Sequence, residues 1–305
     1  MTIALSNNNS QSARLSSTDY TLYAATVLAW GFSWIAIKGQ GTLVAPEVSV
    51  FWRFVLAACV MLVWAKVRGH DLAFSLKDHA RFAGLGALLF STNFTLFYYG
   101  ATHLPSGLLA VVFSTASIFN LFLGLILFGQ RPTAQALVAG TLGFAGIAFM
   151  FWPNLVGADL NHEVALGLAL CICGTLSFCC GNMLSAETQR RGIAVTPATA
   201  WGMVYGVIFL GLFASLRGQG FAIEWTTTYL GSLVYLAIVA SVIAFGSYLT
   251  LLGRIGSARA GYATVIFPVV ALTVSTVFEG YQWTPLAIAG LACVLTGNFL
   301  MLRAR

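Results

Sequence analysis

Residues 46–66, PEVSVFWRFVLAACVMLVWAK, open on a proline and then stay apolar for the length of a bilayer crossing. An α-helix needs roughly 20 apolar residues to cross a hydrocarbon core about 30 Å thick. A barrel strand would alternate apolar and polar positions, and this run does not. A helix also satisfies its own backbone groups in lipid. The same pattern fills almost the whole chain, predicting spans at 20–38, 46–66, 81–101, 105–129, 132–152, 164–186, 197–216, 229–252, 258–278 and 283–302. Hydrophobic residues make up 59% of the 305, charged residues only 8%, and mean hydropathy is +0.86. The fold class is an all-α integral membrane protein.

Residues 197–216, PATAWGMVYGVIFLGLFASL, open the same way about 151 positions later, with Pro197 standing for Pro46. At a similar shift Ser106 meets Ser257, Gly146 meets Gly297 and Met150 meets Met301. Such self-similarity marks an internal repeat. Each copy holds five spans, an odd number, so the second must enter the membrane from the opposite side. The expected architecture is therefore ten helices in two inverted-topology repeats, 20–152 and 164–302. Two halves of this kind commonly rock about a site near the midplane. Residues 1–18, rich in Ser and Asn, read as a disordered tail without the pattern of a signal peptide.

Positive charge sets the orientation. With a cytoplasmic N-terminus, twelve of the 15 Lys and Arg fall on the inner side, among them Lys66, Arg68, Arg190 and Arg191. Only Lys38 and Arg217 fall outside, and Arg53 lies within the second span. Both termini are expected in the cytoplasm, with an external loop at 153–163. The net charge of +6 then reflects basic residues at anionic headgroups rather than nucleic-acid binding. The six cysteines form no C-x-x-C pair and read as small apolar packing, with no metal or cofactor implied. Glycines recur every seven residues at 167, 174 and 181, a spacing that suits close helix contact.

Ionisable residues deep in a bilayer are costly, so their positions carry information. Every Asp and Glu lies in a loop, a tail or at a span end, and no span holds a mid-membrane His. That argues against a proton or sodium relay, against a site for organic cations and against enzyme chemistry. Arg53 is the exception, about 10 Å down its helix at 1.5 Å per residue. It reads either as a structural group, in a buried pair with a carboxylate such as Glu279 or Glu47 or in contact with helix-end carbonyls, or as an attractor of a substrate carboxylate toward an outer vestibule.

Neutral polar side chains sit at depths a solute could reach. They include Asn93, Tyr98 and Tyr99 in span three, and Ser114, Thr115, Ser117 and Asn120 in span four. Asn182, Tyr205 and Tyr248 follow in the second repeat, and Trp30 and Trp34 share one helix face. The candidate substrate-binding residues are Trp30, Asn93, Tyr99, Asn182 and Tyr248. Aromatic walls stack on amphipathic solutes, and hydroxyls and amides serve a zwitterion's ends.

Several short motifs resemble the EamA-type branch of the drug/metabolite transporter superfamily. They are Trp30-Gly31, Phe51-Trp52-Arg53-Phe54, Leu104-Pro105-Ser106-Gly107, Gly129-Gln130, and the segment from Phe267-Pro268 to Phe278-Glu279-Gly280. Members commonly carry Glu where this chain has Gln130, and Pro where it has Ser117. Within the branch the aromatic-rich spans are most similar to the YddG-type amino-acid exporters. The resemblance implies a path enclosed by spans one to four and six to nine, with spans five and ten outside it. It implies a multi-pass inner-membrane exporter of small neutral or zwitterionic metabolites, amino acids included. An uncoupled channel is the alternative, and a membrane scaffold a more distant one.

Overall fold

A computed structural model describes residues 16–41, 43–116, 118–119, 123, 126, 133–155, 162–255 and 263–303. Ser117, Asn120, Gln130, Ser257, the tail before residue 16 and most of the expected external loop lie outside these residues. The helices are α1 (Ser17–Lys38), α2 (Pro46–Val67), α3 (Leu76–Ala101), α4 (Ser106–Ser114), α5 (Ala134–Leu155), α6 (His162–Arg190), α7 (Val195–Leu216), α8 (Thr227–Ile255), α9 (Ala263–Glu279) and α10 (Pro285–Arg303). Six of the described helices are long and apolar enough to cross a membrane, and α9 and α10 contain shorter apolar segments. Between 33% and 50% of each of those six is buried. Their other faces present large apolar side chains such as Leu28, Val63 and Leu212, as lipid contact requires.

Polar caps carry several helices beyond their apolar runs. Ser16 accepts from the Asp19 amide while the Asp19 carboxylate accepts from the Ser16 amide, so α1 begins at Ser17 rather than 20. Ser75 accepts from the Asp78 amide and starts α3 at Leu76 rather than 81. Pro46 and Pro285 occupy first-turn positions where a missing N–H costs nothing.

The two halves repeat each other in detail. After α2, Gly69 adopts φ +73°, with the Gly69 amide bonded to Lys66 O and the His70 amide to Ala65 O. After α7, Gly218 adopts φ +68°, with the Gly218 amide bonded to Ser215 O and the Gln219 amide to Ala214 O. Both are Schellman stops that favour glycine. Helices α3 and α8 each contain a π-helical segment, Gly86–Thr92 and Tyr235–Ile243. Ser91 and Ser241 each donate to the carbonyl five residues earlier, Gly86 O at 2.9 Å and Leu236 O at 2.8 Å.

Packing follows the same exchange. Helix α2 lies along α7, α1 contacts α8 and α9 as α6 contacts α3 and α4, and α5 pairs chiefly with α10 at the edge. Small residues make these approaches possible. The glycines at 167, 174 and 181 seat Leu104, Phe97 and Leu89 from α3 and the turn after it. Between α5 and α10 the contact is backbone on backbone: a Cβ at Gly146 would lie 2.5 Å from Gly290 O.

Candidate functional site

Where the two repeats cross, rings from both enclose a cavity. Helix α1 supplies Trp30, Ser33, Trp34 and Ile37, α2 supplies Arg53, and α3 supplies Asn93, Phe94 and Phe97. Phe113 of α4, Phe178 of α6, Phe245 of α8 and Phe267 of α9 complete it. Phe94 and Phe245 stand 151 residues apart, at equivalent positions of the repeat, and both line the cavity. The rings interlock: Trp34 stacks on Phe267 at 6.3 Å and meets Phe97 edge-on at 5.2 Å. The cavity volume is about 40 Å³. By the same measure one water needs roughly 10–15 Å³, so this state holds a few waters and no organic solute.

Polar groups in this wall are fixed by their partners. Trp30 Nε1 donates to Ala240 O at 3.2 Å, and Ser33 donates to Trp30 O at 2.8 Å. Arg53 is 2% exposed, and its Nε donates to Ser241 Oγ at 3.0 Å. Its guanidinium lies over the Phe94 ring at 4.3 Å. The expected pairing of Arg53 with Glu47 or Glu279 is absent: both carboxylates are engaged elsewhere.

That engagement closes one end of the bundle. Glu47, fully buried in the first turn of α2, accepts from the Tyr99 hydroxyl at 2.7 Å and faces Arg217 Nη1 at 3.6 Å. Arg217 also contacts the Tyr99 hydroxyl and lies over its ring. Tyr98 donates to Gln40 at 2.7 Å, and the Ser49 and Tyr229 hydroxyls are 3.1 Å apart. Glu279 accepts from the Ser106 amide at 2.9 Å, the Ser106 hydroxyl and the Ser275 hydroxyl, at the N-terminus of α4. Lys38, 4.0 Å from Glu279, donates to Ala101 O at 2.6 Å. These ties bind the Glu47-side ends of α1, α2, α3, α4, α7, α8 and α9 together.

At the opposite end the helices part. A vestibule of about 480 Å³ lies between α1, α2, α7 and α8, bounded by Leu22, Trp64, Arg68, His70, Thr199 and Ser247. Phe245 lines both this vestibule and the central cavity.

Of the five residues singled out from sequence, Trp30 and Asn93 line the cavity. Tyr248 lies behind Trp30, with ring centroids 5.1 Å apart. Tyr99 sits in the closed end, and the half-buried Asn182 lies one turn beyond Phe178 and outside the lining. The phenylalanines were not singled out, because among 23 in the chain a cavity wall looks like any lipid-facing or packed face. The 151-residue spacing of Phe94 and Phe245 was the available signal.

Comparison with known proteins fits this architecture. A probable amino-acid metabolite efflux pump of Escherichia coli (strain K12) is 26% identical over 304 residues, covering 94% of this chain and 95% of that protein. An uncharacterized transporter, YvbV, of Bacillus subtilis (strain 168) is 26% identical over 286 residues, covering 92% and 90%. A solved crystal structure superposes with a TM-score of 0.67 over 94% of this chain and 96% of that one, at 13% identity, which shows a shared fold. The EamA-like transporter family model matches residues 19–152 and 165–303, one match per helical repeat. With both repeats matched, this chain belongs to the EamA-like transporter family and is a multi-pass membrane transporter.

Proposed function

We propose that the protein is a secondary transporter that exports small neutral or zwitterionic metabolites, amino acids with aromatic side chains among them, by alternating access. On this reading ten spans in inverted repeats cross the inner membrane with both termini cytoplasmic. The residues at 20–152 and 164–302 form the two rocking units. The supporting observation is the central cavity itself, built by both repeats, tied shut at the Glu47 end and reached from a vestibule at the Arg68 end. The basic residues around that vestibule favour a cytoplasmic placement. On this reading the carrier is closed toward the outside, with Phe245 standing where the vestibule and the cavity meet.

A carrier presents its site to one side at a time. A continuous pore would need no tie at one end. The π segments of α3 and α8 lie beside the cavity in both repeats, and such segments often occur at functional sites and mark places where a helix can change shape.

In proteoliposomes loaded with unlabelled amino acids, uptake of labelled phenylalanine or leucine is expected to saturate and to be accelerated by the internal load. Flux that rises linearly with concentration and ignores the internal load would favour the pore.

A further inference from the structure

Six buried side-chain polar atoms lack a hydrogen-bond partner among the described residues, and three belong to residues lining the central cavity. They are Arg53 Nη1, Trp34 Nε1 and Asn93 Oδ1. All three residues are at least nine-tenths buried: Arg53 is 2% exposed, Asn93 3% and Trp34 6%. A buried charge or amide is expensive unless paired, so in a cavity with room only for a few waters these three atoms are the wall groups with hydrogen-bonding capacity to spare for a solute.

We propose that Arg53 is the carboxylate anchor of the substrate site, with Trp34 Nε1 and Asn93 Oδ1 completing recognition of a carboxylate-bearing solute. This rests on the transport reading above and names the substrate class for that site.

The chemistry follows from what holds Arg53 and what does not. Ser241 fixes Nε from the π segment of the other repeat, while the Phe54 and Phe94 rings lie beside the guanidinium. Cation–π contact partly offsets desolvation without neutralising the charge. Among the described residues no carboxylate pairs with Arg53, and its polar neighbours are the Ser241 and Tyr98 hydroxyls. Val204 occupies the corresponding place in the second repeat, so the guanidinium breaks the site's two-fold symmetry. A planar monoanion suits one open guanidinium edge, and the indole N–H can donate to the same anion. The Asn93 oxygen can accept from a substrate ammonium. A dianion such as phosphate finds no second cation among the cavity residues. The surrounding rings take a hydrocarbon or aromatic side chain. The site therefore selects by carboxylate first and amine second.

The test compares ligands that differ only at the poles. L-phenylalanine, 3-phenylpropionate, phenethylamine and L-phenylalaninamide are titrated into the purified wild-type protein, with binding followed by thermal stabilisation and proteoliposome flux measured in parallel. Phenylalanine and phenylpropionate are expected to bind, while the amine and the amide need at least about tenfold higher concentration, the scale of a lost charged hydrogen bond. Arg53→Gln is expected to bring all four within about threefold of one another, with Arg53→Lys intermediate. Wild-type binding of the amine or the amide as tight as phenylalanine overturns the proposal. So does the absence of binding by both carboxylates, or a folded Arg53→Gln variant that keeps the preference. Because the wild-type comparison stands alone, an Arg53 variant that fails to fold leaves the test intact. Carboxylate-selective binding without flux would support the anchor while refuting the carrier.

Discussion

Replacing Gly290 with leucine is expected to produce the largest loss of stability of any single change considered. The Gly290 Cβ position lies 2.6 Å from Gly146 O and 3.1 Å from the Met150 amide nitrogen. Those are backbone atoms, so rotamer changes cannot relieve the clash. Helices α5 and α10 must move apart, and the neighbouring close approach at Gly297, whose Cβ position lies 2.6 Å from Ala139 O, opens with them. In lipid the association of helices depends on such close packing, because no hydrophobic force drives it. Overpacking a tight contact costs about 1–3 kcal/mol and sometimes more. Thermal unfolding in detergent should fall by several degrees, with reduced yield. Gly231→Ala is the control: nothing lies within 4 Å of its Cβ position. A Gly290→Leu protein as stable as Gly231→Ala would show that this seam is not packed as described.

The second large effect is functional. Glu47→Ala removes the acceptor of Tyr99 and the partner of Arg217, the contacts that join the ends of α2, α3 and α7. Hydrogen bonds to charged groups contribute about 1.5–3 kcal/mol, which corresponds to a ten- to hundredfold shift between two states. Arg217 is 45% exposed, so its ion pair with Glu47 adds little and the partly buried hydroxyl bond dominates. Transport is expected to fall about tenfold, because the state closed at this end is disfavoured. Tyr99→Phe should act in the same direction, and Glu47→Gln should do less because its amide oxygen still accepts. Wild-type flux in Glu47→Ala would show that these contacts do not set the conformational balance.

Helices and the repeat were legible in the sequence because both rest on apolar periodicity, which the bilayer enforces. Helix starts were less so: Ser16 and Ser75 extend α1 and α3 through polar first turns that hydropathy leaves out. Trp30 and Asn93 could be picked out as polar or aromatic groups at the right depth. Tyr99 has the same chemistry but belongs to the closed end, and spacing along one helix cannot tell which neighbour a hydroxyl meets. Glu47 and Glu279 were both within plausible reach of Arg53, and only the fold shows them bound to Tyr99 and Ser106. The π segments leave almost no composition signal, since a shift from i→i−4 to i→i−5 bonding alters backbone partners alone.

One cavity between the repeats is expected to open to one side at a time, and Ser33, in its wall, gives direct access to it. In a background lacking the six native cysteines, Ser33→Cys is probed with a charged, impermeant thiol reagent in right-side-out and inside-out vesicles. Without substrate, reaction from the cytoplasmic face is expected to be at least about tenfold faster than from the outside, the ratio that a 1.4 kcal/mol preference for one state produces. Transported amino acids should slow it. Equal reaction from both faces, unaffected by any amino acid, would contradict alternating access to this cavity.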